Sequence, residues 1–188
     1  MSATPAHART HGGDMRTHTP CVRVCACLAR DVRAMPIKII NVSKGNSKGA
    51  SMMADEWLDK VRRYTTVDEV TIRPNPRKAQ SVEVQKTGEG EKVLKALDPR
   101  DWVVLLDERG RDVSSEDFAK MIAAAGDRGT PLAFLIGGPF GHAEEVRARG
   151  SESVRLSRCV LNHQVAHVVL LEQLYRGWTI LRGEPYHH

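Results

Sequence analysis

Apolar and polar positions fall in blocks along this chain, and the block lengths define most of its elements. Leu132-Ala133-Phe134-Leu135-Ile136 is an unbroken apolar run, opened by Pro131 and closed by Gly137-Gly138-Pro139-Phe140-Gly141. Such a short, punctuated run predicts a strand buried on both faces. Trp102 to Asp107 predicts a second buried strand and Ile37 to Val42 a third. Val67, Val70 and Ile72 mark another, stopped by Arg73-Pro74-Asn75-Pro76, and Val154-Arg155-Leu156 a last short one. Met53, Trp57, Val61 and Tyr64 recur at helical spacing, with Asp55, Glu56, Asp59, Lys60, Arg62 and Arg63 on the wet side. Ser114-Ser115-Glu116-Asp117 opens a helix through Phe118, Ala119, Ile122 and Ala123, which Gly126 is expected to close. A short helix is predicted from His142 to Arg149. Asn162 is expected to cap a final helix from His163 to about Arg176. Between Arg77 and Glu91 no period is evident, and Gly88 and Gly90 point to a mobile segment. Strands alternate with helices, so the fold class is α/β, a mainly parallel sheet flanked by helices.

The first 34 residues break this pattern. Arg9, Arg16, Arg23, Arg30 and Arg33 are spread among Thr, Ala and His, with only Asp14 and Asp31 acidic. Residues 1–34 are expected to be a disordered, transit-peptide-like extension, and 35–188 the folded domain. A plain tail, or upstream sequence before a start at Met35, is the alternative. No apolar run approaches the roughly 18 residues needed to span a bilayer, so no membrane association is expected. The formal charge of +5 suits a polyanionic partner. Cys21, Cys25 and Cys27 lack a second Cys/His pair at zinc spacing, and a reducing compartment is the simpler inference.

Candidate chemistry concentrates in the second half. The glycine loop follows the central strand, where open α/β sheets bind ligands. Its glycines allow φ > 0 and close approach of a ligand to backbone. It is neither a G-x-G-x-x-G fingerprint nor a P-loop. His163 and His167 share a helix face, but no third ligand is evident and no metal is expected. Glu172 and Arg176 are an (i, i+4) pair, with an exposed surface pair as the plain reading. Lys44, Lys48, Arg109 and Arg111 are placed in loops after strands, where together they would make a phosphate-binding surface. No nucleophile elbow with a Ser-His-Asp order is present.

Leu105-Leu106-Asp107-Glu108-Arg109-Gly110, Leu135-Ile136-Gly137-Gly138-Pro139-Phe140-Gly141, Leu161-Asn162-His163-Gln164 and Glu172-Gln173-Leu174-Tyr175-Arg176, with the closing Tyr186-His187, resemble the RlmH family. These are SPOUT-class methyltransferases that modify N3 of a pseudouridine in large-subunit ribosomal RNA. The resemblance covers about Met35 to His188. It implies a C-terminal trefoil knot, S-adenosylmethionine as donor with no metal, and a homodimer with its site at the interface. The partner it implies is large-subunit ribosomal RNA within ribosomal particles. The donor pocket it implies comprises Leu106, Gly137, Gly138, Gly141, Leu156, Ser157, Arg158, Cys159, Val160 and Leu161. His163, Glu172, Arg176, Tyr186 and His188 fall on the acceptor side as the catalytic set. Members commonly carry Arg where His167 stands and a basic residue where His188 stands. The Asn162-His163-Gln164 variant and the His-His ending resemble the plant branch. With the extension, this favours a plastid, with a mitochondrion or the cytoplasm as alternatives. A SPOUT enzyme acting on tRNA, or a non-catalytic RNA-binding assembly factor, is the competing function.

Overall fold

The computed structural model describes residues 31–74 and 81–186. The chain runs β1 (Ile37–Val42), α1 (Lys48–Val61), β2 (Val67–Ile72), α2 (Val82–Ala96), β3 (Trp102–Asp112) and α3 (Ser115–Arg128). It continues through β4 (Leu132–Ile136), α4 (Glu144–Arg149), β5 (Glu152–Arg155) and α5 (His163–Arg182). The strands form one sheet in the order β2-β1-β4-β3-β5, and every pairing is parallel. Parallel neighbours require crossovers, and the helices supply them on both faces. All five residues of β4 are buried, as a central strand covered on both sides must be.

Two apolar layers sandwich the sheet. One packs Leu58, Phe118, Ile122, Leu170, Leu174 and Trp178 from α1, α3 and α5 against Ile37, Ile39, Val104 and Phe134. The other packs Val93, Ala143 and Val146 against Ile40, Val103, Ala133 and Leu135. Successive strand residues feed opposite layers, which explains why the sheet sequences read as continuous apolar runs rather than alternations.

Several boundaries differ from those expected. The glycine-bearing stretch around Gly88 and Gly90 is helix α2, capped by Ser81, whose Oγ accepts from Val84 N. A Cβ on Gly90 would sit 2.8 Å from Ala143 Cβ, so this glycine permits close helix packing rather than mobility. Helix α3 carries a Ser114–Asp117 capping box and runs past Gly126 to Arg128, where Gly129 takes the left-handed conformation at φ 64°. Helix α5 continues beyond Arg176 to Arg182 because Trp178, Ile180 and Leu181 are buried in its inner face. β3 extends past Asp107 through a register shift between Leu106 and Arg111, with Gly110 against the backbone of Val154. Arg109 and Arg111 therefore lie within β3, not in a loop after it.

The transit-peptide-like stretch lies outside the described residues up to residue 30. Val32 is buried against the main core, so the ordered body reaches back of Met35.

Candidate functional site

Three parallel strands bring part of the expected donor set to one end of the sheet. Leu106 of β3 is in register with Ile136 of β4 and with Val154 of β5. Adjacent strands are about 4.8 Å apart. The glycine loop leaves β4 directly after Ile136, and Leu156 follows β5. Leu106, Gly137 and Leu156 thus occupy one crevice edge, the carboxyl side where open parallel sheets take ligands.

The glycine loop is built differently from the expectation. Only Gly141 among its glycines has positive φ, at 73°. Gly141 N–H donates to the Gly138 carbonyl at 2.9 Å, closing the turn. A Cβ on Gly137 would meet Gly141 at 3.2 Å and His142 at 3.3 Å. One on Gly138 would meet Glu89 Oε2 at 3.1 Å and Val42 Cγ1 at 3.2 Å. These glycines let the loop pack on itself, on β1 and on α2. In the direction a side chain would take, each is filled by protein.

Three residues outside the expected set hold this loop. His142 is 5% exposed, and its Nε2–H donates to the Leu106 carbonyl at 3.0 Å, tying the β4 exit to β3. Burial pushes the His142 pKa below its ordinary value, against the pull of that hydrogen bond and of Asp107. Asp107 pairs with Arg147 at 2.5 Å and accepts from Arg109 N at 2.9 Å. Burial alone would raise the Asp107 pKa; the Arg109 N–H and the Arg147 charge outweigh it and hold the carboxyl low. A lone His after Gly141 carried no sequence signal beyond its position.

At the end of β5 and just beyond it, Arg155 and Arg158 share Asp112, and Ser157 Oγ accepts from Cys159 N at 2.9 Å. Ser157 and Leu161 are half-buried, whereas Arg158, Cys159 and Val160 are exposed. Phe140 on the glycine loop and Val160 on this segment are both exposed.

Of the residues expected on the acceptor side, three converge and His163 stands apart. Glu172, Arg176 and Tyr186 form a tight cluster. Glu172 Oε1 accepts from Arg176 Nε at 3.0 Å, Arg176 Nη2 at 2.7 Å and the Tyr186 hydroxyl at 3.1 Å. Gln173 Nε2 fills Oε2 at 2.5 Å. The pair is a half-buried network rather than an exposed surface contact. The Arg176 guanidinium lies 4.5 Å over the Tyr186 ring, which packs edge-on against Tyr175 at 4.9 Å. Burial first, then the Glu172 carboxylate, raises the Tyr186 pKa. The tail is held by its own chain: Glu184 accepts from the Tyr64 hydroxyl, and Tyr186 lies on α5. His163 sits nine residues before Glu172 on α5. That is about 13 Å along the axis and two and a half turns around it, on the opposite face. His163 Nε2 is buried with no partner. His188 lies outside the described residues.

His167 has both ring nitrogens engaged by its own chain. Its Nε2–H donates to Glu69 Oε1 at 2.6 Å, and Nδ1 accepts from Asn46 Nδ2 at 3.3 Å. The expected four-cation surface is split. Arg111 is engaged by Glu152 and Asp117, and β4 stands between the strand that leads to Lys44 and Lys48 and the one that carries Arg109.

A parallel sheet with its ligand edge at a glycine loop and a C-terminal helix bearing the polar cluster is the arrangement of a SPOUT-type transferase. The family model described as "Predicted SPOUT methyltransferase" matches residues 35–187. A protein of Geotalea daltonii named ribosomal RNA large subunit methyltransferase H is 40% identical over 155 residues, 82% of this chain and 100% of that one. The protein of the same name from Anaeromyxobacter dehalogenans is 42% identical over 153 residues, 81% of this chain and 99% of that one. An Arabidopsis thaliana protein provisionally named an RNA methyltransferase is 46% identical over 167 residues, covering 88% and 86%. A solved structure from Haemophilus influenzae, described as a probable methylase family protein, aligns with a TM-score of 0.51 at 14% identity, covering 80% of this chain and 67% of that one. That likeness speaks for the fold alone. The chain belongs to the SPOUT methyltransferase family, among relatives named ribosomal RNA large subunit methyltransferase H.

Proposed function

We propose that the chain transfers the methyl group of S-adenosylmethionine to N3 of a pseudouridine in large-subunit ribosomal RNA. The observation that carries this reading is the meeting of Leu106, the Gly137–Gly141 loop and the β5 exit at one edge of the sheet, in a member of a methyltransferase family. The edge fits the donor: it offers backbone amides and carbonyls of a tight loop, and exposed apolar side chains, Phe140 on that loop and Val160 after β5, for a flat purine. Bound there, the donor supplies a methyl already activated on a sulfonium. In this reading the segment Leu156 to Leu161 is the threaded part of a trefoil knot.

The remaining chemistry is removal of the imide proton from N3. Tyr186 is a poor base, since its raised pKa keeps the hydroxyl protonated and it donates to Glu172. Glu172 is saturated by Arg176, Tyr186 and Gln173. His163 has a buried ring nitrogen with no partner and takes the role of orienting or deprotonating the base. Arg176 contributes a cation that favours the anionic ring, and Tyr186 contributes a stacking face. Because His163 and the Glu172 cluster stand at different levels and faces of one helix, we assign them to a site completed by a second copy, a homodimer.

The test is incubation of large ribosomal subunits with labelled donor, then nuclease digestion and mass spectrometry of the RNA. One methylated pseudouridine is expected. Methylation confined to tRNA, or none despite donor binding, would replace this reading with one of its competitors. The arginine-rich residues 1–34 support work in a plastid. Fused to a fluorescent reporter, they are expected to carry it into that organelle; a cytosolic signal would remove the targeting role.

A further inference from the structure

A cavity of about 220 Å³ opens beside the carboxyl ends of β1 and β2, under α1 and the start of α5, and it includes no residue of the glycine loop or the Glu172 cluster. Ile39, Asn41 and Ser43 alternate along β1 and its exit, so their side chains share one sheet face, and all three line the cavity. The Asn41 amide therefore points into it. Asn41 is 6% exposed, and no described residue hydrogen-bonds its side chain; Oδ1 is buried and unpaired. Asn46 gives its Nδ2 to His167 and leaves its own Oδ1 buried and unpaired in the same wall. Buried polar groups in folded proteins almost always have partners. Two orphaned amide oxygens in one wall mark a place where N–H donors are missing.

Charge narrows the donor. The lining carries the carboxylates of Asp55 and Glu69 and no lysine or arginine, in a chain of net charge +5. His167, the remaining titratable lining residue, has both ring nitrogens engaged, by Glu69 and Asn46. Such a cavity repels phosphate and carboxylate, so it is unsuited to an RNA backbone. Among the described residues no cluster of three His, Cys, Asp or Glu suits a metal ion. We propose that this cavity binds a small organic cation with several N–H donors, an alkylammonium or guanidinium. Its charge faces Glu69 and Asp55, and its N–H groups meet Asn41 Oδ1 and Asn46 Oδ1 as the two amides turn toward the cavity. Bound there, it links the β1–α1 loop to the first turns of α5, beside the existing contact from Ser47 N to Gln164 Oε1 at 3.1 Å. The site is separate from methyl transfer and stands or falls without it.

The test is titration of the full-length, ¹⁵N-labelled protein with 1,4-diaminobutane and with methylguanidinium, following the side-chain amide signals of Asn41 and Asn46. Inorganic phosphate and magnesium chloride at matched ionic strength are the controls. Saturable shifts of both amides by one of the organic cations are expected below about 10 mM, with none from phosphate. Asn41→Val is expected to weaken binding at least about tenfold. Glu69→Gln keeps an oxygen for His167 but removes a charge, and is expected to weaken binding severalfold; it decides the matter if Asn41→Val does not fold. Absence of saturable shifts, equal shifts with magnesium chloride, or unchanged affinity in a folded Glu69→Gln protein would overturn the proposal and leave the cavity to ordered water.

Discussion

At the scale of single residues, the best-defined contributor is His142. It closes the glycine loop onto Leu106 from a buried position where its charged form is disfavoured. The unfolded chain binds a proton near the ordinary value of 6.5, and the folded chain only at lower pH. Stability from this group is therefore full above that value and declines as pH falls below it. Unfolding free energy of the native chain, measured by urea from pH 7.5 to 5.5, is expected to fall toward acid with a slope that His142→Gln reduces. Loss of the Leu106 contact in that variant should cost about 1–3 kcal/mol at neutral pH. An unaltered slope would mean that His142 is not buried neutral.

Tyr186 is the second residue with a sharp expectation. Tyr186→Phe keeps the ring on Tyr175 and under Arg176 and removes only the donation to Glu172. Stability should change by no more than about 1.5 kcal/mol, and donor affinity should hold. Under the proposed function the cluster positions the acceptor, so single-turnover transfer should fall at least about tenfold when it is loosened. Equal loss of donor binding and transfer would make Tyr186 a structural residue only.

At the scale of elements, α2 is the piece whose role was hardest to read. Its buried positions include Glu89, Gly90 and Val93, while Val82 and Val84 face solvent. An apolar period is therefore missing, and two glycines imitate a loop. The packing reason appears only in three dimensions, where Gly90 lies against Ala143 and Val146, and Glu89 against Gly138. Gly90→Ala separates two effects. Helix propensity alone would stabilise the variant by about 1 kcal/mol. The 2.8 Å approach to Ala143 Cβ instead predicts a net loss of about 1–3 kcal/mol, because a backbone-anchored neighbour must move. Denaturant unfolding gives the sign, and a gain would show that α2 is free to shift.

The strands were legible because burial on both faces writes itself as an apolar run: β1 and β4 match their predicted bounds. Helix ends were less so. Gly126 looked like a stop, but it is the position where residues 32 and 33 pass, with Arg33 O 2.6 Å from a would-be Cβ. The motifs that end β3 and β4 could be located from sequence, whereas the clamp by His142, Asp107 and Arg147 could not, since it joins three separate elements. The Glu172–Arg176 pair was visible as a spacing, but its burial depends on where Tyr186 folds back.

At the scale of the whole molecule, the account turns on the geometry of α5. One long helix carries His163 at its first residue and Glu172 and Arg176 further along, about 13 Å or more away. A nucleobase cannot touch both within one chain, and the function proposed above therefore divides its acceptor site between two copies. Mixed dimers of two inactive variants, His163→Ala and a chain lacking residues 186–188, test this most directly through single-turnover methyl transfer to large ribosomal subunits. Each homodimer is expected to be folded, to bind the donor and to be nearly inactive. Mixing under exchange should restore activity toward about one quarter of the native value, since random pairing makes half the dimers mixed and each of these holds one intact site. Mixed dimers that form but recover no transfer would contradict the divided site and return all of the chemistry to a single chain.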